Sequence, residues 1–202
     1  MERLGNPAIE RGARFTYRQY RTWPDDERWE LIDGVAWCMS PAPLTRHQII
    51  AGRLYAEMAA FLRGRSCRVF IAPFDVLLPK ARESDDDVDT VVQPDISVFC
   101  DRSKITERGA RGAPDLVVEV LSPSTSRIDQ NEKFRLFERV GVREYWVVDP
   151  GFRALCVYRR GADGRFYEGD AREPEREYTS IASTVLEGFS IEPAEVFADL
   201  DN

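Results

Sequence analysis

Apolar and polar positions alternate along this chain in two distinct rhythms. Between Thr45 and Leu62 the apolar residues Ile50, Leu54, Met58 and Phe61 recur at steps of four, four and three, which is one face of a helix. A second helix is predicted from about Asp129 to Val140, stopped by Gly141. A short opening helix spans Phe15 to Trp23, with Thr16 as N-cap and Pro24 ending it. The stretch RWELIDGVAWCMS alternates around Asp33-Gly34 and predicts a hairpin. Strands are predicted at 67–72, 75–79, 91–100, 115–122, 144–149 and 154–160. The tail containing TVLEGFSIEPAEVF adds edge structure and a short closing helix. Helix, strands, helix and strands in this order imply an α/β (α+β) protein: a central mixed β-sheet flanked by helices.

Polar residues that interrupt an apolar pattern are the candidates for chemistry. In the strand 115–122, Leu116, Val118 and Val120 point to one face and Val117, Glu119 and Leu121 to the other. Both faces are apolar except at Glu119. A carboxylate there needs an ion pair, hydrogen bonds or a metal. In the strand 91–100, Val92, Pro94, Ile96 and Val98 share one face, and Gln93, Asp95 and Ser97 the other. Pro94 cannot donate to a ladder, so it marks a bulge, strand start or edge that re-aims Asp95.

On the second helix, Lys133, Leu136, Phe137 and Val140 follow the i, i+3, i+4, i+7 stripe. The chain has 25 arginines and only three lysines, so a lysine in the core-facing stripe stands out; a snorkelling lysine is the bland alternative. His47, the only histidine, lies on the apolar face of the first long helix and reads equally as structural. Glu30 alternates with Ile32 in the first arm of the hairpin.

Composition narrows the chemistry. With 202 residues, 43% hydrophobic and 31% charged, the chain is expected to form one domain over 1–202 with a sizeable core. No run approaches a membrane span, and the N-terminal stretch lacks a signal-peptide core, so a cytoplasmic protein without a membrane partner is expected. Cys38, Cys67, Cys100 and Cys156 form no CxxC pair and are expected to be small buried hydrophobes. The net charge of −7 argues against a protein that coats nucleic acid, although it does not limit a local site. The acidic run 83–89 lacks the glycine and terminal glutamate of a calcium loop and reads as solvated. Arg102, Lys104, Arg108 and Arg111 form the best local basic patch. Two carboxylates on adjacent strands, without Cys or further His, suit Mg²⁺ or Mn²⁺. Asp, Glu and Lys together suffice for phosphodiester hydrolysis.

Pro94-Asp95, followed by Glu119-Val120-Leu121, resembles the signature of the PD-(D/E)XK nucleases. The ordered stretches RWELIDG, VVQPDISVFCD, APDLVVEVLSPSTSR and GVREYWVVDP resemble, more narrowly, the Uma-two family of predicted restriction endonucleases, from about Phe15 to Phe197. The resemblance implies a restriction-endonuclease-like sheet and a Mg²⁺- or Mn²⁺-dependent endonuclease acting on DNA, working as a homodimer. It assigns Asp95 and Glu119 to the metal, with the Val120 carbonyl as a further ligand, and makes Glu30 the acidic residue of the first core element. Its lysine position holds Leu121, and Lys133 is the replacement that the helix stripe suggests. His47 and Gln93 are accessory candidates. Asp115, in a second Pro-Asp pair, is a rival acid that sits at a strand start and satisfies backbone amides there. The alternative to an enzyme is a nuclease-fold protein that binds or regulates without cutting. A third reading is a metal-dependent hydrolase of RNA or another phosphoester.

Overall fold

A computed structural model describes residues 13–24, 27–39, 44–122, 127–172 and 180–200. In chain order its elements begin with α1 (Tyr17–Tyr20), β1 (Trp29–Ile32), β2 (Val35–Cys38), α2 (Thr45–Phe61), β3 (Arg68–Ile71), β4 (Asp75–Leu77), β5 (Val91–Val92) and β6 (Ile96–Phe99). They continue with β7 (Ile105–Thr106), β8 (Gly109–Arg111), β9 (Leu116–Val120), α3 (Arg127–Val140), β10 (Glu144–Asp149) and β11 (Ala154–Arg160). The last are β12 (Phe166–Arg172), β13 (Ile181–Ala182), β14 (Ser190–Ile191) and α4 (Pro193–Val196).

The expected α+β class, mixed sheet flanked by helices, is what the chain forms. The strands divide between two six-stranded sheets, in the orders β2-β1-β5-β4-β8-β7 and β12-β11-β10-β9-β6-β3. Each sheet is mixed: β4 runs parallel to β8, and β9 runs parallel to β10. The β1–β2 hairpin turns at Asp33 (φ 50°) and Gly34 (φ 79°), the two positive φ values that a tight right-twisted turn requires.

The period-two pattern of β9 sorts the core. Leu116, Val118 and Val120 pack with Ile50, Leu54 and Met58 of α2. Val117, on the opposite face, packs with Leu136 and Phe137 of α3, and with Ile32, Val76 and Val92 of the first sheet. The second sheet is therefore covered by α2 on one side, and by α3 and the first sheet on the other.

The apolar run 91–100 departs from the sequence reading. It is two strands: β5 belongs to the first sheet and β6 to the second. Pro94 lies between them without an N–H for either ladder, and the chain changes sheets across Gln93-Pro94-Asp95. Val92 consequently packs in the α3 cluster while Ile96 and Val98 face α2, so the three do not share one face. The opening helix is also shorter than expected. Beyond Tyr20 the N–H groups of Thr22 and Trp23 bond three residues back, and the α-helical ladder ends.

The cysteines are not the buried thiols expected. Cys67 and Cys100 are joined by a disulfide, because the antiparallel pairing Arg68↔Phe99 puts the next residues outward opposite one another. Cys38 is exposed and Cys156 half-buried. Strands β10 and β11 bury Tyr145, Trp146, Leu155 and Val157 in the core, so those side chains are not a free face for a second copy.

The C-terminal segment, carrying β13, β14 and α4, is held by Glu144. This carboxylate is fully buried. Its Oε1 accepts from Trp146 Nε1 (2.6 Å), and its Oε2 from the N–H (2.7 Å) and hydroxyl (2.6 Å) of Thr184. No helix among the described residues is long and apolar enough to cross a membrane.

Gly109 holds the first sheet together. It pairs with Asp75 at φ +155°, and a Cβ there would lie 2.2 Å from the Asp75 carbonyl oxygen. Backbone cannot yield to it, so Gly109→Ala should lower stability by about 2–4 kcal/mol in urea unfolding. An unchanged midpoint would contradict this packing.

Candidate active site

The candidate residues come from three elements and one junction. Glu30 is mid-strand in β1 and buried. Asp95 immediately precedes β6, whose register Ile96↔Val118 with β9, extended by one residue, brings Asp95 opposite Glu119. Directly opposed residues of an antiparallel pair point to the same face. Lys133 comes from the inward stripe of α3, one turn before Leu136 and Phe137, both buried.

Lys133 Nζ lies 2.9 Å from Glu119 Oε1 and 3.0 Å from Glu30 Oε2. The side chains of Lys133, Glu119 and Glu30 are 15%, 12% and 4% exposed, so this is a buried ion triad. The lysine is not snorkelling. Leu121 supplies no charge from the strand, and an ammonium reaches Glu119 from the helix instead. Glu30 is in the first sheet and Glu119 in the second, so one ammonium bridges both.

Asp95 is oriented from two sides. Its Oδ2 accepts the Val120 N–H (2.8 Å) and lies 3.1 Å from His47 Nε2. A carboxylate already accepting from an amide calls for the tautomer with the proton on Nε2. His47 Nδ1 is buried and has no hydrogen-bond partner among the described residues. Gln93 is the last sequence-named residue. Its backbone N–H donates to Glu30 Oε1 (2.8 Å).

Three carboxylates thus share a buried cluster with one lysine and one histidine. Burial pushes the Glu119 carboxyl up to about 8, with Asp95 and Glu30 adding to the rise and Lys133 opposing it. Burial alone would lower the Lys133 pKa, but Glu119 and Glu30 outweigh it and hold the ammonium above the ordinary lysine range. The phenol of Tyr145 is also raised, by burial first and then by Glu119. Burial, reinforced by neighbouring carboxylates, raises Glu119 and Tyr145, while for Lys133 the carboxylates overcome burial.

Carboxylate oxygens of this kind are the donors a hard cation prefers. Among the described residues no three His, Cys, Asp or Glu side chains form a metal-ligand group. Mg²⁺ commonly takes one or two carboxylates and keeps several waters. Asp95 and Glu119, with the Val120 main chain beside them, are the residues that could hold it.

Other sequence candidates fall outside this cluster. Asp115 accepts the Cys100 N–H (2.8 Å) and pairs with Arg143 at the far end of β9, the backbone-satisfying role expected of it. The basic stretch 102–111 is largely committed: Arg102 donates to the Ser66 carbonyl, Lys104 to the Ala113 carbonyl, and Arg111 pairs with Asp85. In the acidic run, Asp85–Asp87 form an exposed 3-10 turn.

Sequence reading missed the group surrounding Gln93. The Gln93 Nε2 donates to Asp75 Oδ1 (2.8 Å) and to Tyr20 Oη (3.1 Å), and Arg28 donates to Gln93 Oε1 (3.1 Å). The signal was present in part: Arg28 sits just before β1, two residues from Glu30. The ion pair of Arg139 with Asp33 (3.0 Å), which ties α3 to the hairpin turn, was also unforeseen.

Comparison with known proteins places the chain. An uncharacterized protein of Synechocystis sp., slr1290, is 28% identical over 149 residues, covering 72% of this chain and 74% of the relative. A solved structure from Anabaena variabilis, described as "a putative nuclease belonging to DUF820", superposes with a TM-score of 0.70 at 20% identity. It covers 91% of this chain and 97% of its own, a likeness of fold. The family model Uma2, described as "Putative restriction endonuclease", matches residues 17–194, and the chain belongs to that family.

Proposed function

We infer that the protein is a divalent-metal-dependent endonuclease that hydrolyses DNA phosphodiester bonds. The observation that carries this reading is the Lys133 ammonium held between Glu119 and Glu30, next to an Asp95 oriented by a backbone N–H and a histidine. Asp95, Glu119 and the Val120 carbonyl would hold Mg²⁺ or Mn²⁺. The bound ion would supply an acidified water and a counter-charge for a phosphoryl oxygen.

The chain's own residues do the rest. His47 and the Val120 N–H fix the rotamer of Asp95. Glu30 keeps Lys133 charged and in place. Lys133, a compact point donor, stabilises negative charge where it develops or orients the attacking water. The Gln93 amide fixes Glu30 in turn. Cutting both strands of a duplex at once calls for two such sites, and a homodimer that supplies them belongs to this reading.

The test is supercoiled plasmid DNA incubated with Mg²⁺ or Mn²⁺. Nicked and linear products are expected, with Asp95→Ala at least about 100-fold slower. Cleavage no greater than that of Asp95→Ala, across salts and substrates, overturns the reading. Cleavage confined to RNA would move the activity to a different substrate.

A further inference from the structure

We propose that Arg28 is a substrate-contacting residue that grips a phosphate of the nucleic acid beside the carboxylate site, with Gln93 as the residue that aims it. This inference rests on the nuclease reading above and adds a phosphate contact to it.

Chain position is the first observation. Arg28 lies two residues before Glu30, and Gln93 two residues before Asp95. The two meet: Arg28 Nε and Nη2 lie 3.3 and 3.1 Å from Gln93 Oε1. Through the Gln93 backbone N–H, the same residue bonds Glu30 Oε1 at 2.8 Å. A single glutamine therefore holds the guanidinium and the Glu30 carboxylate at once.

The orientation of that glutamine is determined by chemistry. Arg28 can only donate, so it must face the amide oxygen. The Asp75 carboxylate accepts at 2.8 Å, so it must face Nε2, where Tyr20 Oη also lies at 3.1 Å. Tyr20 in turn donates to Asp75 Oδ1 at 2.9 Å. Reversing the amide would lose these bonds. Arg28 is thus directed by a network with one consistent set of donors and acceptors.

Charge is the third observation. Among the described residues, no carboxylate forms an ion pair with Arg28. Other arginines are neutralised: Arg111 by Asp85, Arg139 by Asp33, Arg143 by Asp115. Arg28 rests on a neutral amide and is only partly buried. A guanidinium with no ion-pair partner among the described residues, beside a cluster of buried carboxylates, is suited to a phosphate, which it recognises through paired N–H donors. In the basic stretch 102–111, Arg111 is neutralised by Asp85, while Arg102 and Lys104 are spent on backbone carbonyls of the fold itself.

The experiment measures binding of a labelled DNA duplex against salt, in Ca²⁺, together with Mn²⁺-dependent cleavage. Arg28→Ala is expected to weaken binding about tenfold or more and to reduce the slope of log K against log salt by about 0.9. Arg28→Lys should keep that slope while losing affinity, because the charge remains and the fork does not. Arg165→Ala removes the same charge from the β11–β12 turn, at the opposite end of the strands from Glu119, and should change neither.

If Arg28→Ala binds with wild-type affinity and slope while the wild type cuts DNA, the Arg28 assignment is wrong and the nuclease reading stands. An equal loss of slope in Arg165→Ala also overturns the assignment, since net charge would then explain it. If the wild type neither binds nor cuts, both readings fall. Should Arg28→Ala not fold, Arg28→Gln provides the same charge removal with a longer side chain, and its slope decides.

Discussion

Replacing Lys133 with methionine is expected to cost about 3–5 kcal/mol of folding stability and to bring cleavage down to the level of Asp95→Ala. Methionine is unbranched and of similar bulk, so the packing beside Leu136 and Phe137 is largely kept. What disappears is, among the described residues, the one ammonium paired with Glu30 and Glu119, whose side chains are 4% and 12% exposed. Removing the ammonium leaves the buried Glu30 carboxylate without its counter-charge and Glu119 without its hydrogen-bond donor, which is why the loss far exceeds that of a surface pair. Adding Glu30→Gln to Lys133→Met should return part of the stability by removing one stranded charge, while leaving the protein inactive. Urea unfolding in EDTA reads the first effect and plasmid cleavage in Mn²⁺ the second. A Lys133→Met protein as stable as wild type would mean that the triad contributes nothing to the fold.

Without divalent cations, the contribution of Glu119 to stability is expected to fall as pH rises from 4.5 to about 8. Its carboxyl is pushed up to about 8 in the folded protein, chiefly by burial, from an ordinary value of 4.5. Between these values the native state keeps a proton that the unfolded chain releases. Stability therefore decreases with rising pH across this window and is fully present below it. At about 1.4 kcal/mol per pH unit, the effect is on the order of a few kcal/mol. Glu119→Gln cannot ionise and should remove this part of the profile, so the difference between the two urea-unfolding curves isolates it. Parallel curves for wild type and Glu119→Gln would show that the carboxyl titrates normally in place.

The parts of the site legible in the sequence were those set by local periodicity. Glu119 stood out because a strand apolar on both faces tolerates a carboxylate only with partners. Lys133 stood out because a helix stripe repeats every three or four residues, and that geometry survives folding. The sheet change at Gln93-Pro94-Asp95 was not legible. An apolar run has the same pattern whether it stays in one sheet or passes between two; Pro94 marked an irregularity without saying which. Strands β7, β8 and β12 are short or polar and owe their conformation to neighbours. The disulfide depends on a register between strands far apart in sequence, and spacing does not encode it. Glu144 opens a strand and resembles an ordinary charged edge residue, since the Thr184 groups that satisfy it lie 40 residues further on. Arg28 and Gln93 could be seen as polar, but their meeting is a tertiary fact.

The passage of the chain from one sheet to the other at Gln93-Pro94-Asp95 makes the site a seam. Glu30 belongs to one side of it, Glu119 to the other, and Lys133 to a helix lying across both. A small slide of one sheet over the other would move these groups apart before it disturbed either hydrogen-bonded ladder. Substitutions in the shared core, such as at Val76, Val92 or Val117, should therefore act as remote controls of the chemistry. They would detune the distances among the charged groups without touching any of them.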